Sequence, residues 1–322
     1  FLHHVIDDIH LIEARIQDEI RDQGHLIWQP HEFIGRYGAA AQPVCAQLQG
    51  VYQDCRRSLD IPTLQPGETP VVTDYQHTKD FLSALSASLG DPNGGRAPAA
   101  ATTEMHRLVG EQAGVLRHYR RTLVTYLRKT RFTQHRQQIG ALVANTLDLT
   151  SWLYGRRIAL RDLKPENLLV AGDRNDFPAF LERRERFRLG LIDLETATAR
   201  RGRDSEAGLI SPPRPGGTPL YATPSHFVSF DLLSEIYSDP LEILLEQDWH
   251  AAIAICFRTV TGEPLWEGSA GLFSALVDTL AHTDPDDTDH FTHLYGKLSW
   301  VFWSNARMEF LDNLRQHRAT LG

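Results

Sequence analysis

Between Ile158 and Val170 the chain reads IALRDLKPENLLV, with Arg, Asp, Lys, Glu and Asn packed between two apolar runs. Apolar flanks anchor such a segment in a core, so its charges are presented from a rigid turn. Asp162 offers a carboxylate that can accept a proton, Lys164 a cation two residues on, and Asn167 an oxygen ligand five residues on. A carboxylate at an attacking hydroxyl, positive charge near the transferred group and oxygen donors for a divalent ion are the requirements of phosphoryl transfer. A second carboxylate for the ion is available at Asp193, which closes the apolar run LGLID. An acid at the end of a buried strand is held firmly enough to serve as a metal ligand.

The elements around these residues follow from apolar spacing. Leu2, Val5, Ile9, Ile12, Ile16 and Ile20 recur every three or four residues, which predicts one helix ending at Gly24. Because Phe1 already lies inside that pattern, the chain reads as N-terminally truncated. HLIWQPHEFI reads as a strand-like segment broken by Pro30, and a helix is expected over Val44–Leu59. QPGE is a turn by composition, Pro70–Thr73 a buried strand, and Lys79–Leu89 a helix. GDPNGGRAPAAATT reads as a flexible linker. Two long helical patterns follow, Glu104–Lys129 and Gln134–Leu153, the second leading into the catalytic-type turn. A charged insertion covers about 171–188, a Gly-, Pro- and Arg-rich loop runs from Arg200 to Pro219, and the chain from Phe227 is mostly helical.

At 322 residues, with 42% hydrophobic and 23% charged residues, the chain has room for two lobes of ordinary globular composition. A net charge of −8 argues against wholesale binding to nucleic acid or anionic membrane. Three cysteines, Cys45, Cys55 and Cys256, make no CxxC, so a reducing, cytoplasmic setting is expected and a disulfide framework is not. No run of about 18 apolar residues predicts a membrane span.

LRDLKPENLLV closely resembles the catalytic loop of eukaryotic-type serine/threonine protein kinases, and three further blocks agree in order. Asp193-Leu194-Glu195 stands where that family has DFG. GTPLYATPS (Gly217–Ser225) is similar to the end of its activation segment, and DWHAAIAICFRTVTGEPLW (Asp248–Trp266) to its long buried helix. More weakly, PVVTDYQHTKDFLSAL resembles the strand and hinge between the lobes. The resemblance implies an α+β, protein kinase-like fold: a partial small lobe over 1–75, then a mainly helical large lobe over 76–322. Helical residues 97–131 and charged residues 171–188 would be insertions in that large lobe.

The same resemblance implies roles. Asp162 would orient a substrate hydroxyl and accept its proton, Lys164 would neutralise the transferred phosphoryl, and Thr218 would steady Asp162. Asn167 and Asp193 would hold Mg2+ on the phosphates of ATP, with Asp74 and Gln76 meeting the nucleotide at the hinge. Asp248 would brace the loop from beneath. Arg161 would sense a phosphate added at Ser205, Ser211 or Thr218. The partners implied are protein Ser or Thr hydroxyls and ATP. Departures are Leu160 and Leu194 at apolar positions, Glu195 where a glycine would give the backbone freedom, and Thr223 and Ser225 in place of Ala and Glu. No nucleotide-binding Lys on a VAIK-like strand and no GxGxxG is visible. If residues 2–23 are the small-lobe helix, Glu13, or next Glu19, would pair with that Lys. The competing expectations are a pseudokinase scaffold and a small-molecule kinase of the aminoglycoside phosphotransferase type. Trp300 and Trp303, with Phe302, are expected in the large-lobe core.

Overall fold

The computed structural model describes residues 1–61, 75–90, 100–199, 215–282 and 288–321. These are mostly helical, with two small two-stranded sheets among them. The chain divides into two compact units, residues 1–10 with 132–322, and residues 11–131. The boundary expected at 75/76 is therefore not where the units part. The apolar repeat of residues 2–23 forms two helices, α1 (Leu2–Ile9) and α2 (Glu13–Gln23). Leu2, Val5, Ile6 and Ile9 enter the core of the larger unit, whereas Ile12, Ile16 and Ile20 enter that of the other. An unbroken apolar period reports which face is covered, and it carries no information about what covers it.

The unit of residues 11–131 is helical throughout its described residues. After α2 come a 3-10 turn (Gly24–Trp28), α3 (Pro30–Tyr37), α4 (Gln42–Ser58), α5 (Tyr75–Gly90), α6 (Ala100–Gly110) and α7 (Ala113–Gln134). The strand read in HLIWQPHEFI is thus helical. Pro30 opens α3, at a position where its missing N–H has no partner to lose, so it starts a helix. Gly24 does end α2, and it also permits close packing: a Cβ there would lie 2.8 Å from Leu82 Cδ2. The helix expected over 104–129 divides at Glu111 and Gln112 into α6 and α7. Met105, Val109, Tyr119 and Leu123 share one core with α2–α5, so residues 100–131 are no insertion into the larger unit. The expected strand at Pro70–Thr73 lies outside the described residues, as do residues 91–99 of the linker. Among the described residues of this unit, helices cover one another's apolar stripes.

In the larger unit α8 (Arg136–Gly155) packs on α10 (Pro240–Thr261). The ends of α10 are legible in its sequence. The Asp239 side chain accepts from the Glu242 amide, Pro240 takes the first position, and Gly262 closes the helix at φ 77°. Its interior holds Leu244, Leu245, Ala251, Ala252 and Ile255 together with polar Gln247, Asp248 and His250. β1 (Ile158–Ala159) pairs antiparallel with β4 (Thr198–Ala199), and β2 (Leu168–Ala171) with β3 (Arg188–Leu191). This nested pairing sets the turn after β1 beside the turn after β3. Residues 171–188, expected as a charged insertion, are partly core. Phe180, Leu181 and Phe187 are buried while Arg183, Arg184 and Arg186 are exposed.

The remaining helices are α9 (Phe230–Ile236), α11 (Glu267–Ala270), α12 (Phe273–Ala281) and α13 (Thr288–Leu321). On α13 only Phe302 of the expected aromatic trio is buried; Trp300 is 72% and Trp303 47% exposed. Residues 300 and 303 flank the buried face of the helix, and neighbours of a buried residue on a helix point elsewhere. No helix among the described residues is long and apolar enough to cross a membrane.

Candidate active site

The turn from Leu160 to Asn167 is held from below by one buried carboxylate. Asp248 Oδ2 accepts the Leu160 amide at 2.7 Å and Oδ1 the Arg161 amide at 2.9 Å. Burial pushes the Asp248 carboxyl up to about 7, against the two amides and the Arg161 guanidinium, which favour its charge. Leu160 is buried, so an apolar side chain suffices there. Arg161 takes a left-handed backbone (φ 67°), uncommon for a residue with a Cβ, and is only 2% exposed. Its guanidinium donates to Gln247 Oε1 (3.3 Å) and to the His226 carbonyl (3.2 Å). The group expected to sense a phosphate is thus turned inward; Ser205 and Ser211 lie outside the described residues.

Asp162 is the meeting point of the site. Its Oδ1 accepts from the Thr218 hydroxyl at 2.8 Å, and its Oδ2 from Lys164 Nζ at 2.6 Å. Lys164 also donates to Thr218 Oγ1 at 3.1 Å, closing a triangle. Asn167 Nδ2 donates to the Asp162 carbonyl at 2.9 Å and reaches Oδ2 at 3.3 Å. Partial burial pushes the Asp162 carboxyl up, but Lys164, Thr218 and Asn167 together outweigh it and leave the pKa below the usual value. Asp162 is therefore an ionised acceptor at neutral pH, placed with its cation and still partly open to solvent.

Thr218 arrives from a turn that folds on a missing side chain. A Cβ at Gly217 would lie 2.8 Å from His226 Cδ2 and 3.3 Å from the Ala222 Cβ. His226 is buried; its Nδ1 accepts the Thr223 amide at 3.0 Å, and its carbonyl the Gly216 amide at 2.8 Å. Ser225, which stands where the resemblance has a Glu, bonds Gln247 and Thr223. His226 and Gln247 were not singled out from the sequence, and Ser225 only as a departure from the resembling block; their roles come from contacts over 22 to 86 residues, for which local spacing holds no signal.

Asp193 follows β3 directly beside the turn. The amide of the preceding residue, Ile192, donates to the Asn167 carbonyl at 3.0 Å, and Thr196 Oγ1 donates to the Leu160 carbonyl at 2.7 Å. Asp193 itself carries the left-handed backbone of this turn (φ 57°), which Asp tolerates better than most residues. The freedom of a glycine is thus needed at 193 and not at Glu195, which lies exposed in the turn. Leu194, read as an apolar packing residue, is 52% exposed. Asn167 Oδ1 and the exposed Asp193 carboxylate make no hydrogen bond or ion pair among the described residues, so both remain available as oxygen donors. Mg2+ suits such a set, since it binds through one or two carboxylates with phosphate oxygens and water completing its shell. No cluster of three His, Cys, Asp or Glu side chains able to hold a metal occurs among the described residues.

The other expected residues are not brought to this turn. Asp74 lies outside the described residues. Gln76 is exposed on α5 and donates to Asp80 at 2.8 Å. Glu13 is exposed at the start of α2 and paired with Arg120. Glu19, the second choice, is buried and bonded to Arg36 and to the Tyr37 hydroxyl at 2.7 Å. Both carboxylates expected to meet a lysine are engaged by arginines of their own unit. Compared with known proteins, the chain matches no protein-family model, no curated protein and no solved structure.

Proposed function

We propose that this protein transfers the γ-phosphoryl group of ATP to Ser or Thr hydroxyls of a protein substrate, in a kinase-like larger unit. The observation that carries this reading is the convergence of Lys164, Thr218 and Asn167 on Asp162. A substrate hydroxyl would donate to the Asp162 carboxylate, which has acceptor sites left beside its bonds to Thr218 and Lys164. Held there, the hydroxyl oxygen points its lone pair at phosphorus. A carboxylate whose pKa is lowered takes the proton late, as a loose phosphoryl-transfer transition state requires. Lys164, free to swing from Asp162, would follow the charge on the transferred group. Asn167 and Asp193 would hold Mg2+, which when bound offsets the charge of the phosphate oxygens. The Thr218 turn supports a protein substrate over a small molecule, because its block GTPLYATPS resembles the peptide-binding end of a protein kinase activation segment, and residues 216–218 are free of helix and strand.

The test is phosphate transfer read by intact mass. The 322-residue chain and its Asp162→Asn variant are incubated with Mg-ATP and a generic Ser/Thr protein, and separately with an aminoglycoside. Phosphate on the protein from the first and not from the second is the expected result. Phosphate on the aminoglycoside alone would replace the protein substrate by a small one. None from the folded chain would overturn phosphotransfer and leave a scaffold, for which Glu195 beside Asp193 would be the reason.

A further inference from the structure

Helix α10 meets the active site twice. Asp248 holds the start of the catalytic turn, and ten residues later, roughly 15 Å along the helix, Arg258 reaches the end of it. Arg258 Nη1 donates to the Tyr221 hydroxyl at 3.1 Å and lies 3.6 Å from Glu166 Oε1. Its Nη2 donates to Asp7 of α1 at 3.2 Å. Glu166 sits in the 3-10 turn Pro165–Asn167, immediately before the Asn167 that bonds Asp162. The Tyr221 amide donates to the Thr218 carbonyl at 2.8 Å, and the Thr218 side chain bonds Asp162. Two arms therefore leave one guanidinium and rejoin at Asp162. Glu166 Oε2 is buried without a hydrogen bond among the described residues, while the side chain as a whole is 43% exposed, so the Arg258 pair and solvent share the compensation of its charge.

We infer that Arg258 is a positioning residue that sets the Asn167 turn and the Thr218 turn against each other on Asp162. What the positioned groups then do rests on the phosphotransfer reading above. The planar fork of a guanidinium serves a phenol, a carboxylate of the turn and a carboxylate of α1 at once, where an ammonium serves them poorly. Its third contact makes the first helix part of the device. α1 packs on the Pro165–Asn167 turn and on β2, and His10, just after it, bonds the Thr259 carbonyl next to Arg258 at 2.8 Å.

The experiment compares the full chain with Arg258→Met, Arg258→Lys and Tyr221→Phe by hydrogen–deuterium exchange and by phosphotransfer. In Arg258→Met both turns, 160–167 and 217–222, are expected to exchange about tenfold faster while α8 and α10 keep their protection. Turnover should fall about 10- to 100-fold with the ATP KM changed less than about twofold, since misplacement acts on reaction geometry. Arg258→Lys should recover part of the turnover. Tyr221→Phe should loosen only residues 217–222, and it answers the question if Arg258→Met does not fold. Unchanged exchange in both turns would overturn the inference. So would faster exchange spread equally over α8 and α10, the mark of a merely structural role. A wild-type chain without phosphotransfer would sink the functional reading, while the exchange pattern would still decide the linkage.

Discussion

Asp248 has two amides to satisfy and a guanidinium to balance, and it is buried while doing so. Removing one partner of such a set leaves the others unpaired in a dry site, which costs more than the bond itself was worth. Asp248→Ala is therefore expected to destabilise the chain by about 2–5 kcal/mol, read as a lower urea midpoint for the larger unit. Thr218 acts on Asp162 in a different way, by helping to hold its pKa low. Thr218→Val removes a donor to the charged form, so the pKa of Asp162 rises. Activity then disappears at a higher pH on acidification, and the acid limb of kcat/KM against pH moves to the right; an unmoved limb refutes the role. Asp162, Lys164 and Asn167 were legible in the sequence because a single turn holds all three. Thr218 was legible only through the resemblance of its surrounding block, 54 to 56 residues away from its partners.

Elements fix these residues by their ends as much as by their faces. Helix α10 must stop at Gly262, whose φ of 77° suits glycine and whose missing Cβ makes room for His10: a Cβ there would lie 2.7 Å from the imidazole Cγ. Gly262→Ala combines backbone strain with that clash and should cost at least about 1 kcal/mol. Its melting midpoint is expected to fall, and the His10 contact to loosen with it. A variant as stable as the wild type would show that α1 has room to move. The faces matter where α1 is concerned. Ile6 is almost wholly buried, so Ile6→Ala should cost about 2–5 kcal/mol, measurable by denaturant unfolding. The Asp–Pro start and Gly stop of α10 could be read directly. The break between α1 and α2 could not, because the apolar spacing runs through it.

For the molecule as a whole, buried titratable groups tie stability to pH. Burial, with help from Arg161, pushes the His226 imidazole down to about 3, and burial pushes His250 down to about 4. Unfolded, each would bind a proton from about 6.5 downward, so stability is present above that pH and lost as pH falls. Asp248 works the other way between about 7 and 4, since its folded form holds a proton that the unfolded form has released. The two histidines outweigh the one carboxyl, so stability falls as pH drops between roughly 6 and 4, by on the order of 1 kcal/mol per pH unit. Urea unfolding across that range measures the slope, and His250→Phe, which keeps a ring against Trp266, should flatten it. An unchanged slope in that variant removes His250 from the explanation. The sequence alone determined helices α4 and α8 and brought Asp162, Lys164 and Asn167 into one turn, because each depends on neighbours within a few residues; α10 was read only from Asp248 onward, through the resemblance of its block. Only the tertiary structure decided that residues 11–131 form a helical unit of their own. It alone turned Arg161 inward, left Trp300 in solvent and joined Asp7 to Arg258 across 251 residues. Spacing along a chain encodes which face of an element is apolar; the partner that covers this face is chosen by packing among all elements at once.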